Sequence, residues 1–174
     1  MSQLEIGDRV EIVDDVAGRF PSKIGVITAT REVAFRRKVT VRLADGTESD
    51  FSDSQLQTPS TIFADMMLDT HISLAPGLRG STFARHMRFI SREFDIHLKL
   101  TGSDEENRLY GQLTANGTAT ESSLITLVFH GEPCVTTATD SCGEFEVRQV
   151  PFGSVVLEIL VPSHRIVATF DVNK

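Results

Sequence analysis

The sequence predicts an all-β chain in two modules, a small N-terminal barrel followed by an antiparallel sandwich, with one short linking helix between them. Three observations carry the prediction. Short runs rich in β-branched residues recur at regular spacing and are bounded by Gly, Pro, Asp and Ser. Phe94, Ile96, Leu98 and Leu100 alternate with Asp95, His97 and Lys99, the signature of a half-buried strand. The texture changes only over residues 58–84, where the apolar spacing becomes helical.

Residues 1–57 are assigned to the barrel, with strands at 8–13, 24–30, 38–43 and 46–51 and a tight Asp53-Ser54-Gln55-Leu56 turn. Asp45-Gly46 is a hairpin signal, because both residues accept the backbone of a tight turn. A loop over 14–23 holds Gly18, Phe20 and Pro21, and Arg36, Arg37 and Lys38 form a basic loop between strands. This segment resembles the SH3-like barrels of the KOW and translation-factor type and the small SH3-like subunit of photosystem I. Ile6-Gly7-Asp8-Arg9-Val10, Ile24-Gly25-Val26-Ile27, Val39-Thr40-Val41, Phe51 and Leu56 carry the resemblance. It covers about a third of the chain and implies a docking module rather than an enzyme.

Residues 58–84 are read as a linker. Thr58-Pro59-Ser60-Thr61 supplies an N-cap, and Ile62, Phe63, Met66 and Met67 then fall on one face of a short helix. That helix either caps a core or presents Met66 and Met67 as an adaptable docking face. Pro76-Gly77-Leu78-Arg79-Gly80 closes the segment as a loop.

Residues 85–174 are assigned to the sandwich, with strands at 85–90, 94–100, 108–114, 123–129, 134–139, 143–150, 154–161 and 165–172. Asp140 is placed to cap a turn in which Gly143 takes positive φ, and Phe145 returns to the core. Leu109-Tyr110-Gly111-Gln112-Leu113, the stretch from Thr139 through Cys142 to Phe145, and Val150-Pro151-Phe152-Gly153 make the segment similar to the carboxypeptidase regulatory-like domain. That domain is a transthyretin-like sandwich found as an accessory module in many bacterial proteins. The preceding stretch, through Arg85 and Phe89, is similar to a lead-in on some of its relatives, which makes 62–174 one unit. The resemblance implies an accessory role and brings no zinc peptidase and no catalytic residue with it.

Charge is uneven along the chain. Residues 1–57 hold eight Lys and Arg against ten Asp and Glu, residues 58–103 five against four, and residues 104–174 four against ten. The acidic C-terminal part repels phosphate backbones and anionic membranes. Eleven Phe against a single Tyr and no Trp point to rings used in cores, since Phe has no polar handle. The opening residues lack a secretory leader pattern, and no apolar run is long enough for a transmembrane helix. A cytoplasmic location is expected, in which Cys134 and Cys142 stay reduced.

Catalytic and cofactor chemistries find no residues to carry them in the sequence. His71, His86, His97, His130 and His164 are scattered without metal-ligand spacing, so no metal is expected. No Gly-x-Ser-x-Gly elbow occurs, Cys142 lies beside acids, and Gly77-Leu78-Arg79-Gly80 lacks the Lys-Ser/Thr of a phosphate loop. No cofactor is expected. The reading is a non-catalytic protein-binding adaptor or accessory subunit of a larger bacterial complex. Its candidate contact residues are Phe20, Arg36, Arg37, Lys38, Met66, Met67, Arg79 and Arg88. The alternative is a nucleic-acid or ribonucleoprotein module acting through the barrel and its basic loop, which Phe35 alone accompanies for base stacking.

Overall fold

The computed structural model describes residues 4–13, 24–33, 36–73, 83–102, 106–162 and 164–173, with the backbone alone for Val33, Arg36 and residues 71–73. Candidate residues Phe20 and Arg79 lie outside the described residues.

Almost every described element is a strand. Five form an N-terminal antiparallel sheet: β1 (Arg9–Ile12), β2 (Ile24–Val33), β3 (Arg36–Leu43), β4 (Glu48–Ser52) and β5 (Leu56–Gln57), in the order β4-β3-β2-β1-β5. Gly46, at φ +86°, makes the β3–β4 turn at the expected Asp45-Gly46, and Asp45 Oδ1 accepts the Thr47 N–H at 3.0 Å. A 3-10 turn, Asp53–Gln55, brings the chain back so that β5 pairs with β1. Val10, Ile12, Ile27, Val39, Val41, Leu43, Phe51 and Leu56 pack into one core, because alternate residues of each strand share a face.

The remaining strands build two sheets around a second core. The first is ordered β7 (Asp65–Ser73), β8 (Phe83–Ser91), β9 (Phe94–Gly102), β10 (Asn107–Ala115), with β11 (Thr118–Ala119) and β14 (Glu144–Arg148) pairing β10. We call it the polar sheet. The second is ordered β13 (Glu132–Ala138), β12 (Leu124–Phe129), β15 (Gly153–Val161), β16 (His164–Val172), β6 (Ser60–Phe63), and β6 runs parallel to β16. We call it the covered sheet. Phe89, Ile96, Leu98, Leu100, Leu109 and Leu113 of the polar sheet meet Ile125, Leu127, Val155, Leu157, Ile159 and Phe170 of the covered sheet. Gly111 belongs to this core for a steric reason: a Cβ there would overlap the ring of Phe145 on the neighbouring strand.

The helix expected over 62–68 is not formed. The same residues run through β6, cross at Ala64 and continue into β7, one strand on each sheet. A helix this short is marginal in water, whereas an extended chain here satisfies open backbone groups on β16 and β8. The crossover is pinned, since Ala64 N–H donates to Val167 O at 2.9 Å and the buried Ser91 hydroxyl donates to Phe63 O at 3.0 Å. The basic run also differs from expectation: Arg36, Arg37 and Lys38 open β3 and pair with Val33, Glu32 and Arg31 of β2 instead of forming a loop.

The N-terminal sheet packs on the outer face of the covered sheet. Ile24, with Val26 and Ala44 beside it, contacts Leu124 and Leu160. Beside this apolar contact Glu158, whose side chain is 7% exposed, forms ion pairs with Arg9 of β1 and Arg165 of β16. Burial pulls the Arg9 guanidinium below its ordinary range while the Glu158 carboxylate opposes that shift. Desolvation of this kind makes such a pair tolerable only when each charge keeps its partner.

Candidate functional site

The crossover gathers four large exposed apolar side chains, Phe63, Met66, Met67 and Leu68. Among the described residues β6 pairs only with β16 and β7 only with β8, so the two sheets end on the same flank. Ile62 faces the core. Phe63 pairs with the outward-facing Val167 and is 75% exposed. Met66 and Met67 follow at 40% and 63%, and Leu68 at 48%. The pairing register shifts between Met66 and Leu68, so Met67 sits in a β-bulge that turns its side chain off the regular alternation. Phe63, Met66 and Met67 thus form an apolar ledge on this flank, while Leu68 lies opposite Arg88 on the outer face of the polar sheet.

A groove of about 510 Å³ runs beside the ledge between Thr61, Phe63, Asp65, Met67, Ile90 and Arg92. Its two charges are uncommitted to each other. Asp65 has no ion pair among the described residues, and Arg92 makes only a 3.4 Å contact from Nη1 to His164 Nε2.

The outer face of the polar sheet carries the second candidate. One row runs Leu68, Arg88, His97, Gln112, Glu144 across five strands, and the next runs Thr70, His86, Lys99, Tyr110, Glu146. All of these but Thr70 and Glu146 line a groove of about 590 Å³. Arg88 grips Asp95 with Nε at 3.0 Å and Nη2 at 2.6 Å, and His97 Nε2 lies 3.2 Å from the same carboxylate. These donors hold Asp95 below the usual carboxylate range, Arg88 contributing most. Arg88 is therefore engaged within its own sheet.

The remaining sequence candidates are largely engaged as well. Arg37 donates to Leu4 O and approaches Asp53 at 3.8 Å. Arg31 pairs with Asp50, whose carboxyl is held down first by the Thr40 hydroxyl and then by Arg31, and Arg42 pairs with Glu48 at 3.1 Å. Lys38 is exposed. Structure thus separates the candidates into Met66 and Met67 on the open ledge, Arg37 and Arg88 in internal pairs, and Lys38 exposed on the N-terminal sheet, where its charge helps hold Asp50 down.

The chain has no significant match among protein-family models, curated proteins or solved structures. Its site is therefore argued from its own geometry.

Among the described residues, no group of three His, Cys, Asp or Glu is arranged to hold a metal, and no helix is long and apolar enough to cross a membrane. Cys134 and Cys142 are free exposed thiols. Asp140 Oδ1 accepts the N–H groups of Cys142 at 2.8 Å and Glu144 at 2.9 Å, and Gly143 adopts φ +72°, so this turn is built as its residues imply.

Sequence reasoning did not single out Phe63, Asp65 or Arg92 as contact residues, nor the buried Glu158. A signal for Glu158 existed: β15 reads Val155-Val156-Leu157-Glu158-Ile159-Leu160-Val161, apolar on both faces, and a strand of that kind is covered on both sides.

Proposed function

We propose that the chain is a non-catalytic docking protein, an accessory subunit that holds a protein partner on the ledge formed by Phe63, Met66 and Met67. The exposed apolar flank is the observation that carries this reading. Apolar side chains clustered on an open sheet edge cost solubility, and such patches mark contact surfaces. Met adds adaptability.

The two module assignments belong to the same proposal. A five-stranded sheet in which a 3-10 turn precedes a short last strand pairing with the first supports the SH3-like reading of residues 1–57. Two antiparallel sheets sharing one core support the transthyretin-like reading of the remainder, widened to begin at Ser60. The N-terminal sheet is then a rigid companion, fixed through Arg9 and Glu158, and the ledge is left free for the partner.

The RNA reading loses support from the engagement of Arg31, Arg37 and Arg42 with carboxylates and a carbonyl, since phosphate contact needs uncommitted cations.

Affinity capture from the source cells with the native chain and with an F63K/M67K variant, followed by quantitative mass spectrometry, tests the reading. The native chain is expected to retain a stoichiometric partner that the variant loses. Equal recovery by both forms of every captured chain, an untagged copy of this protein included, would overturn it.

A further inference from the structure

We infer that the ledge is the interface of a symmetric homodimer, so that the protein docked on Phe63 and Met67 is a second copy of this chain. The inference rests on the docking reading and names its occupant.

Self-complementarity carries it. In a two-fold contact each residue that touches its counterpart is touched in return, so one surface must hold both halves of every interaction. The ledge does so in shape: Phe63 projects beside a groove of about 510 Å³ on the same flank, and a two-fold axis through the ledge sets the ring of each copy against the groove of the other. It does so in charge as well. The groove has one carboxylate, Asp65, and one guanidinium, Arg92, both without an ion pair inside the chain among the described residues. Antiparallel approach sets Asp65 of each copy opposite Arg92 of the other, giving two equivalent pairs around an apolar centre.

Local neutrality removes an objection to self-association. The chain has a formal charge of −7, which opposes bringing two copies together. The groove lining, with one charge of each sign, adds nothing to that repulsion.

Side-chain packing is favoured over strand addition, because the bulge at Met67 breaks the backbone register that a continuing sheet would need. The flank unites an edge of each sheet, so a second copy covers β6 and β7 at once.

Sedimentation equilibrium over a concentration series, on the full chain, tests the proposal. The native protein is expected to be a dimer, F63K a monomer, and D65R and R92D each weakened about tenfold or more by placing like charges opposite each other. The D65R/R92D double variant restores the opposite-charge geometry and is expected to recover most of the lost affinity. All three positions are surface residues, and thermal unfolding of each variant separates loss of contact from loss of fold.

A native chain that is monomeric throughout the series, or a dimer indifferent to both single reversals, would overturn the proposal. If the monomeric native chain still captures a partner that F63K/M67K loses, only the homodimer fails. If capture is also equal, the docking reading fails with it.

Discussion

The outer faces of the two sheets around the large core have opposite fates. On the covered sheet, Leu124, Leu160 and Glu158 lie under Ile24 and Arg9 of the N-terminal sheet, and β15 is apolar on both sides. On the polar sheet the equivalent positions are Arg88, His97, Lys99, Tyr110 and Gln112, open to water. The difference teaches where an additional unit can pack: a strand loses its alternation only where something covers its second face. One lone carboxylate in that face, Glu158, then becomes the group on which the packing turns.

The comparison can be broken most severely at Glu158. E158A leaves Arg9 and Arg165 without their carboxylate at a buried junction, and urea unfolding is expected to show a loss of about 3–5 kcal/mol. Replacing the inner pair by R9M/E158L should recover part of that loss, because only Arg165, the more exposed of the two cations, is then left without its carboxylate. A double variant as unstable as E158A would show that shape, rather than stranded charge, dominates the junction.

Truncating the apolar contact comes next. L160A removes a side chain 1% exposed and should cost about 2–5 kcal/mol, whereas K99A on the open face of the polar sheet should stay within about 0.5 kcal/mol of the native chain. Equal effects in thermal or chemical unfolding would remove the distinction between the faces.

The smallest effect is expected at the surface pair on the polar sheet. D95N should cost about 1 kcal/mol or less, since the pair is partly solvated. Its pH dependence has a definite sign. Arg88 and His97 hold the folded Asp95 carboxyl below its unfolded value, so near pH ~4 the folded chain binds fewer protons than the unfolded one. The stabilisation is complete above that range and lost as pH falls through it. The gap between native and D95N stabilities, measured by denaturation at several pH values, should therefore shrink below about pH 4.

Legibility followed the range of the interactions. The alternation of Phe94, Ile96, Leu98 and Leu100 is a property of β9 itself and appears in the structure as read. The turns at Asp45-Gly46 and Asp140 to Gly143 are equally local. Residues 62–68 are not, because their conformation is decided by partners distant in sequence: Ile62 pairs with Ile166 and Leu68 with Arg88. A helical spacing of apolar residues there reflects one inward side chain, Ile62, followed by a ledge of outward ones. Met66 and Met67 were thus legible as surface residues for a reason tied to the wrong element. Phe63 was not, since its exposure follows from the parallel pairing with β16.

That parallel pairing also sets an order in time. β6 precedes β16 by most of the chain, and a ribosome adding roughly 5–20 residues per second exposes the Ser60–Phe63 segment long before His164 exists to receive it. Its parallel partner closes late, after a long loop has been ordered. During that interval Ile62 is as exposed as Phe63, so the nascent chain bears a larger apolar edge than the finished one. A chaperone meeting this protein during synthesis would meet it at the segment that, once folded, carries the exposed Phe63 and Met67.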